Sequence, residues 1–326
     1  MHGSTRQVLS MSDKVVLRDV PLGKTVAVSQ AAALCVIAVL AVFEEQINDK
    51  IAQLYLWLLT SSFFRWDSFE VVQSVVSFGM WVGLFFTLDW GFPSMRRFRF
   101  NVLTSLRDDD GTSNNNKNKD IVRGELLAWK SRERAVIDEV MWYLLPWLIF
   151  DFFFPRREDT MLKAFPDAPD LRMVVVQVLL SLVAYDCFFY AGHRLFHWIR
   201  LSQHQKHHDN GGSIRAIDAV RHSFWDGTFD VFCSVFALTL VGSHPLSRAV
   251  HNIVATYLIT ESHCGYDFPW SLSRLTNGIF LSSRAHAHHH EIGNANFGKF
   301  FSILDRAFGT YESAIPAEAG CPHESH

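Results

Sequence analysis

At 326 residues the chain is long enough for a sizeable core, and 49% of it is apolar, with 28 Phe and 10 Trp. A formal charge of only −3, with no strongly basic face, argues against a nucleic-acid partner. The five cysteines (Cys35, Cys187, Cys233, Cys264, Cys321) form no C-x-x-C pair, which argues against a disulfide framework and fits reduced, cytosol-facing thiols.

The apolar residues come in blocks, which points to a membrane. Residues 1–24 are a mixed polar lead with Lys14, Arg18 and Lys24 and no secretory signal, expected to be cytosolic. Thr25 to Phe43 carries no charge and is long enough to span a bilayer core; Glu44 and Glu45 close it. Ile51–Phe64 is shorter and reads as an interfacial segment. A second span runs from Phe69 to Asp89, and Arg96, Arg97 and Arg99 follow it. Residues 108–120 are low-complexity and read as a disordered loop. Arg123, Lys130, Arg132 and Arg134 then precede a third span, Ala135 to Phe154, and the turn Pro166–Asp170 leads into a fourth, Leu171 to Gly192.

Lys and Arg gather in 1–25 and 96–134, so these segments and both termini are expected on the cytosolic side. The fourth span then emerges into the cytosol at His193. Two apolar runs, Val231–Val241 and Ala249–Ile259, are separated by the turn Gly242–Pro245. At about 1.5 Å per residue neither crosses a core of about 30 Å, so a non-spanning hairpin is expected. The architecture read from the sequence is therefore an all-α integral membrane protein. About four transmembrane helices occupy 25–192, the hairpin and a cytosolic helical cap occupy 193–312, and 313–326 form a tail.

The cap is where chemistry concentrates. Histidines fall in three groups: His193 and His197, then His204, His207 and His208, then His286, His289 and His290. Residues three and four apart share a helix face, so each group aims its imidazoles one way, and neutral imidazole binds transition metals. On one straight helix the residues 193–208 would stretch over about 22 Å, whereas two cooperating metals sit about 3.5–4 Å apart. A break between Trp198 and Gln203 is therefore predicted. Zinc takes about four ligands, so eight histidines ask for two metals. Neither H-E-x-x-H nor the Glu-x-x-His pair of soluble di-iron bundles is present. Imidazole alone does not choose among iron, zinc, copper and nickel.

His222 and His263 are further candidate ligands. His288 lies on the opposite helix face from His286, while His244 and His251 read as structural. Asp186, inside the fourth span and two turns below His193, is a costly charge. It is read as support for a histidine, as a contact for a polar end of substrate, or as an interhelical hydrogen bond.

These motifs resemble the fatty acid hydroxylase and sterol desaturase superfamily of membrane histidine-box oxygenases, over roughly Leu171 to Tyr311. DCFFYAGHRLFH resembles its first box, HQKHH its second, and HAHHHEIGNANF its last, with Asn294 after the histidines. LDRAFGTY resembles the closing segment, with Asp305 and Gly309. The segments SHPL and ESHCGYDFPWSLSRL look most like the cholesterol 25-hydroxylase and C4-methylsterol oxidase branch, in which His263 falls on a ligand position. His222 falls on the histidine of a His-Pro-x-Glu element that is broken here, with Ser223 for the proline and Trp225 for the glutamate, Asp226 beside it.

The resemblance implies a non-haem centre of two Fe ions that uses O2 to oxidise a membrane lipid, with Asp186 and Asn294 as supporting residues around the ligands. It implies residence in the endoplasmic reticulum membrane and electrons from NAD(P)H through a reductase and cytochrome b5. The expected activity is a monooxygenase on a sterol or sterol precursor, by hydroxylation or methyl oxidation. Desaturation or epoxidation of a lipid such as squalene or a fatty acyl chain uses the same oxidant. The readings of another class are a zinc-dependent membrane hydrolase and a metal-binding transporter.

Overall fold

The computed structural model describes residues 15–17, 23–103, 144–145, 148–149, 151–153, 155, 157–205, 207–210, 214–221 and 223–313. The 108–120 loop, most of the third expected span, His222 and the tail from 314 lie outside the described residues.

Among the described residues the chain is helical, apart from a short antiparallel ribbon pairing Val15–Leu17 with Asn101–Leu103 and two isolated bridges. The first apolar run forms α1 (Gly23–Val42), and α2 (Glu44–Thr60) opens on Glu44 and Glu45, whose carboxylates suit the positive end of a helix. Two further long helices are α3 (Phe69–Gly91) and α4 (Leu171–Trp198). Among the described residues three helices are long and apolar enough to cross a membrane: Lys24–Val42, Phe69–Gly91 and Leu171–Trp198. The run read as interfacial instead buries part of its length: Tyr55 and Phe64 pack with Phe69, Leu162 and Leu246.

The apolar hairpin is built from α5 (Phe224–Leu240) and α6 (Pro245–His263). Both are longer than the apolar runs that announced them. Ser223 caps α5 in a reciprocal pair with Asp226, and Pro245 starts α6 at a position where a missing N–H costs nothing. The polar stretches of α6 extend the helix because protein covers them. Arg248, His251, Asn252, Thr260 and Glu261 are all buried.

Helix α6 is the central pillar, packed against both α3 and α4, while α5 packs on α4. Val178, Leu182 and Tyr185 of α4 meet Cys233 and Ala237 of α5 and Ala255 and Leu258 of α6 in the main apolar cluster. Trp81 and Gln73 of α3 donate side-chain N–H groups to the Ile253 and Ala249 carbonyls of α6. At the end of α6 remote from His263, the Glu70 carboxylate takes two hydrogen bonds from Arg248, at 2.8 and 2.7 Å, and one from Arg157 at 2.7 Å. Two polar clamps and an apolar seam thus fix the axial register of α3, α4 and α6. At the other end of the bundle the same register brings the histidine-bearing segments together.

His244 and His251 are structural, as read. His244 accepts from the Leu246 N–H and bonds the Asp167 carbonyl, and His251 sits between Ser181 and Ser234.

Candidate metal centre

Helix α4 outruns the fourth apolar span, which ended at Gly192. From Leu171 to His193 it rises about 33 Å, roughly the thickness of a hydrocarbon core, so His193 and His197 sit where the helix would leave it. The helix stops at Trp198, and Arg200 takes a left-handed conformation (φ 52°) before a one-turn helix at Ser202–Gln205. This is the predicted break. It folds His204 back on the end of α4 and puts its Nε2 3.1 Å from that of His193 and 2.9 Å from that of His197.

Helix α7 (Ser283–Ile292) supplies the third group. It begins at a Ser282 cap and ends at Gly293, whose φ of 70° closes the C-terminus cheaply only for glycine. Its His289 reaches the α4 pair, Nε2 to Nε2 with His193 at 3.1 Å. His286 and His290 turn toward His263 at the end of α6, with 3.0 Å from His286 to His263. Two groups result. His193, His197, His204, His208 and His289 form one, His207, His263, His286 and His290 the other, and within each group one ligand atom per residue lies within 4.8 Å of the rest. The groups are adjacent: His208 and His290 have ring centroids 4.6 Å apart. Nine of the ten histidines expected at a metal site are thus brought together, and the tenth, His222, lies outside the described residues.

The donor atoms fit metal ions. His193 donates its Nδ1–H to the Phe297 carbonyl (2.8 Å) and His289 to that of Ala295 (2.7 Å). His207 does the same with Arg221 (3.0 Å) and His263 with Ile259 (2.8 Å). A neutral imidazole that spends its proton at Nδ1 leaves a bare lone pair at Nε2. His193 and His289 then face each other lone pair to lone pair, an arrangement that repels until a cation stands between them. With metal–nitrogen bonds of about 2.1 Å, neighbouring ligands lie about 3.0 Å apart at right angles and about 3.4 Å apart in a tetrahedron. In the first group five Nε2 pairs stand 2.9 to 3.3 Å apart and all five ligand atoms lie within 4.8 Å of one another, separations that ligands of one ion keep.

Burial also keeps these rings neutral. Desolvation, with the neighbouring imidazoles adding to it, holds His286, His289 and His290 well below the ordinary imidazole range and His208 down at about 4. A metal then meets no competing proton near neutrality.

Other expected residues land differently. Asp186 does not touch a histidine: its Oδ1 accepts backbone N–H groups from Lys299 (2.8 Å) and Phe300 (2.7 Å). Asp305 takes those of Phe297 and Gly298, both at 2.8 Å. The two carboxylates pin the loop whose Phe297 carbonyl orients His193, so Asp186 acts at one remove. Asn294 is exposed, and the buried asparagine of this loop is Asn296, which ties Ala285 and Glu312 together. His288 turns outward to Glu312, as its helix face required. The residue that sequence reading passed over is Asp226, whose Oδ1 lies 3.2 Å from His204 Nδ1. Its sequence signal was the Ser-x-x-Asp cap of α5, next to the broken family element.

A small, partly open cleft of about 30 Å3, room for one small polar group, adjoins the histidines, with Phe189, Phe196 and Phe229 among its walls. Phe229 leans on Gly192, where a Cβ would come within 2.0 Å of its ring.

A helical protein with membrane-length helices and a buried cluster of histidines beside an apolar cleft is the class that fold and site define. Residues 178–310 match the model of the fatty acid hydroxylase family. Among curated proteins, cholesterol 25-hydroxylase of Mus musculus is 33% identical over 159 residues, covering 48% of this chain and 53% of its own. The Homo sapiens protein of that name is 33% identical over 156 residues, 46% of this chain and 57% of its own. Methylsterol monooxygenase 2-2 of Arabidopsis thaliana is 28% identical over 155 residues, 46% of this chain and 57% of its own. The chain thus spans about half the length of the curated relatives it matches. No solved structure matches it.

Proposed function

We propose that this protein is a membrane-bound non-haem di-iron monooxygenase that oxidises a sterol or sterol precursor. The observation that carries the reading is the pairing of His193 with His289. Both rings are committed at Nδ1 to backbone carbonyls and present bare Nε2 atoms to one another at 3.1 Å, inside two adjacent groups of five and four imidazoles. The relatives named hydroxylase and monooxygenase supply the reaction class, and their sterol names supply the substrate class.

His193, His197, His204, His208 and His289 would hold one iron, and His207, His263, His286 and His290 the other. When bound and reduced, the pair would supply the electrons that cleave O2 and the oxidising power to attack an unactivated C–H bond. The chain's own contribution is positional. Nδ1 hydrogen bonds fix ring orientation, and the carboxylates of Asp186 and Asp305 hold the loop that receives one of them. Phe189, Phe196 and Phe229 offer an apolar wall against which the reacting end of a lipid would be seated, with water kept from the reacting carbon. The lipid would enter from the bilayer, and electrons would arrive from NAD(P)H through its reductase and cytochrome b5 on the cytosolic face of the endoplasmic reticulum, both termini lying on that face.

A zinc-dependent hydrolase fits less well, because a group of five imidazoles exceeds the tetrahedral habit of zinc. Metal analysis of the purified protein, joined to O2 uptake with a sterol and a reductant, tests the proposal. Two irons per chain and sterol-dependent O2 consumption are expected. Zinc occupancy without O2 consumption would overturn it.

A further inference from the structure

Lys299 and Asp230 form an ion pair in the wall of the histidine cleft, their side chains only 8% and 13% exposed. Lys299 follows the loop that orients His193, and Asp230 sits on α5 beside Phe229. The walls around them are aromatic: the ammonium lies 4.3 Å from the centroid of Phe189 and 5.5 Å from that of Tyr185. An ion pair enclosed among aromatic rings is costly to desolvate.

The hydrogen bonding of the pair is incomplete. Among the described residues the ammonium donates to Asp230 Oδ1 alone, leaving two N–H groups with only ring faces beside them. Asp230 Oδ2 has no hydrogen-bond partner among the described residues. The pair therefore offers a donor and an acceptor side by side, in a cleft it shares with His193, His204 and His263. A hydroxyl group, which both donates and accepts, is the complement of that surface. An all-hydrocarbon ligand would leave both groups unpaired.

We propose that Lys299 and Asp230 bind an oxygen function of the lipid substrate, so that the carbon oxidised lies within a few bonds of a hydroxyl. This rests on the reading of the cleft as a lipid site and narrows it. The ring end of a sterol, rather than its hydrocarbon tail, would then face the histidines. The pair is a specificity device, because the binding site rejects a lipid lacking the oxygen.

The test is equilibrium binding to the full-length protein in lipid nanodiscs, with radiolabelled cholesterol and its 3-deoxy counterpart cholest-5-ene as probes. The wild type is expected to bind cholesterol about tenfold or more tightly than the deoxy sterol. K299M and D230N should lose that preference while keeping wild-type metal content, and K299R should retain part of it. Equal binding of the two sterols by the wild type, or an undiminished preference in K299M, would overturn the inference and leave the oxygenase reading standing. Loss of preference only together with loss of metal would reduce the pair to a structural strut and overturn it too. Failure of either sterol to bind would sink the sterol-site reading itself.

Discussion

His288 and His289 are neighbours in sequence, and their fates separate them. One reaches out to Glu312, the other is fully buried with its Nδ1–H on a carbonyl and its Nε2 in the five-imidazole group. H289A is therefore expected to cost the protein at least one of its metal ions, whereas H288A should leave loading near wild type. Metal content per chain after purification checks both, and equal losses would overturn the assignment of faces. Gly192 is the second informative residue. A methyl group there would collide with Phe229, so G192A should destabilise by about 1–3 kcal/mol, the usual cost of overpacking, and push an aromatic ring toward the cleft. Thermal unfolding in detergent reads the first effect. A weakened affinity for a bulky lipid at unchanged metal content reads the second.

At the scale of elements, the site depends on how segments end rather than on how they run. Helix α4 is long enough to carry two histidines past a hydrocarbon-core thickness, the left-handed Arg200 turns the chain back, and Gly293 stops α7 just after its last ligand candidate. The loop after α7 is then bound from two sides, by Asp186 of α4 and by Asp305. Gly298 is required within it, since a Cβ would sit 2.3 Å from the Phe301 carbonyl oxygen. D186N keeps one acceptor oxygen but removes the charge that strengthens its bonds to three backbone N–H groups. The loop should shift and carry the Phe297 carbonyl with it. Metal affinity is expected to fall about tenfold or more, the usual cost of disturbing a group that orients a ligand. Metal titration of the apoprotein measures it, and an unchanged affinity would show that the loop needs no such anchor.

For the molecule as a whole, the buried imidazoles set a pH dependence. Folded, His208 has a pKa near 4 against the ordinary 6.5, and His286, His289 and His290 also lie well below that value. Below about pH 6.5 the unfolded chain takes up protons that the folded chain refuses, so its stability falls with falling pH. The metal-free protein is thus expected to keep full stability above about pH 6.5 and to lose it progressively toward pH 4. Unfolding temperature against pH checks this, and a flat profile across that window would contradict the burial of the cluster. Loaded metal should steepen the loss, because protons then compete for the same nitrogen atoms.

The sequence by itself determined the helical class, the three described membrane-length helices, the break after Trp198 and the three main histidine groups. These follow from local periodicity: a run of apolar side chains fixes a helix in lipid, and spacings of three and four fix a face. Tertiary structure decided what periodicity does not encode. It chose Asp226 as the partner of His204, Asn296 rather than Asn294 as the buried asparagine of its loop, and a backbone loop rather than a histidine as the partner of Asp186. It also extended α5 and α6 beyond their apolar runs, since polar residues can continue a helix when other protein covers them. The physical reason is common to all of these. Hydrogen-bond partners across the bundle depend on the axial register of packed helices and on where loops close, and neither is written in the residues nearest the site.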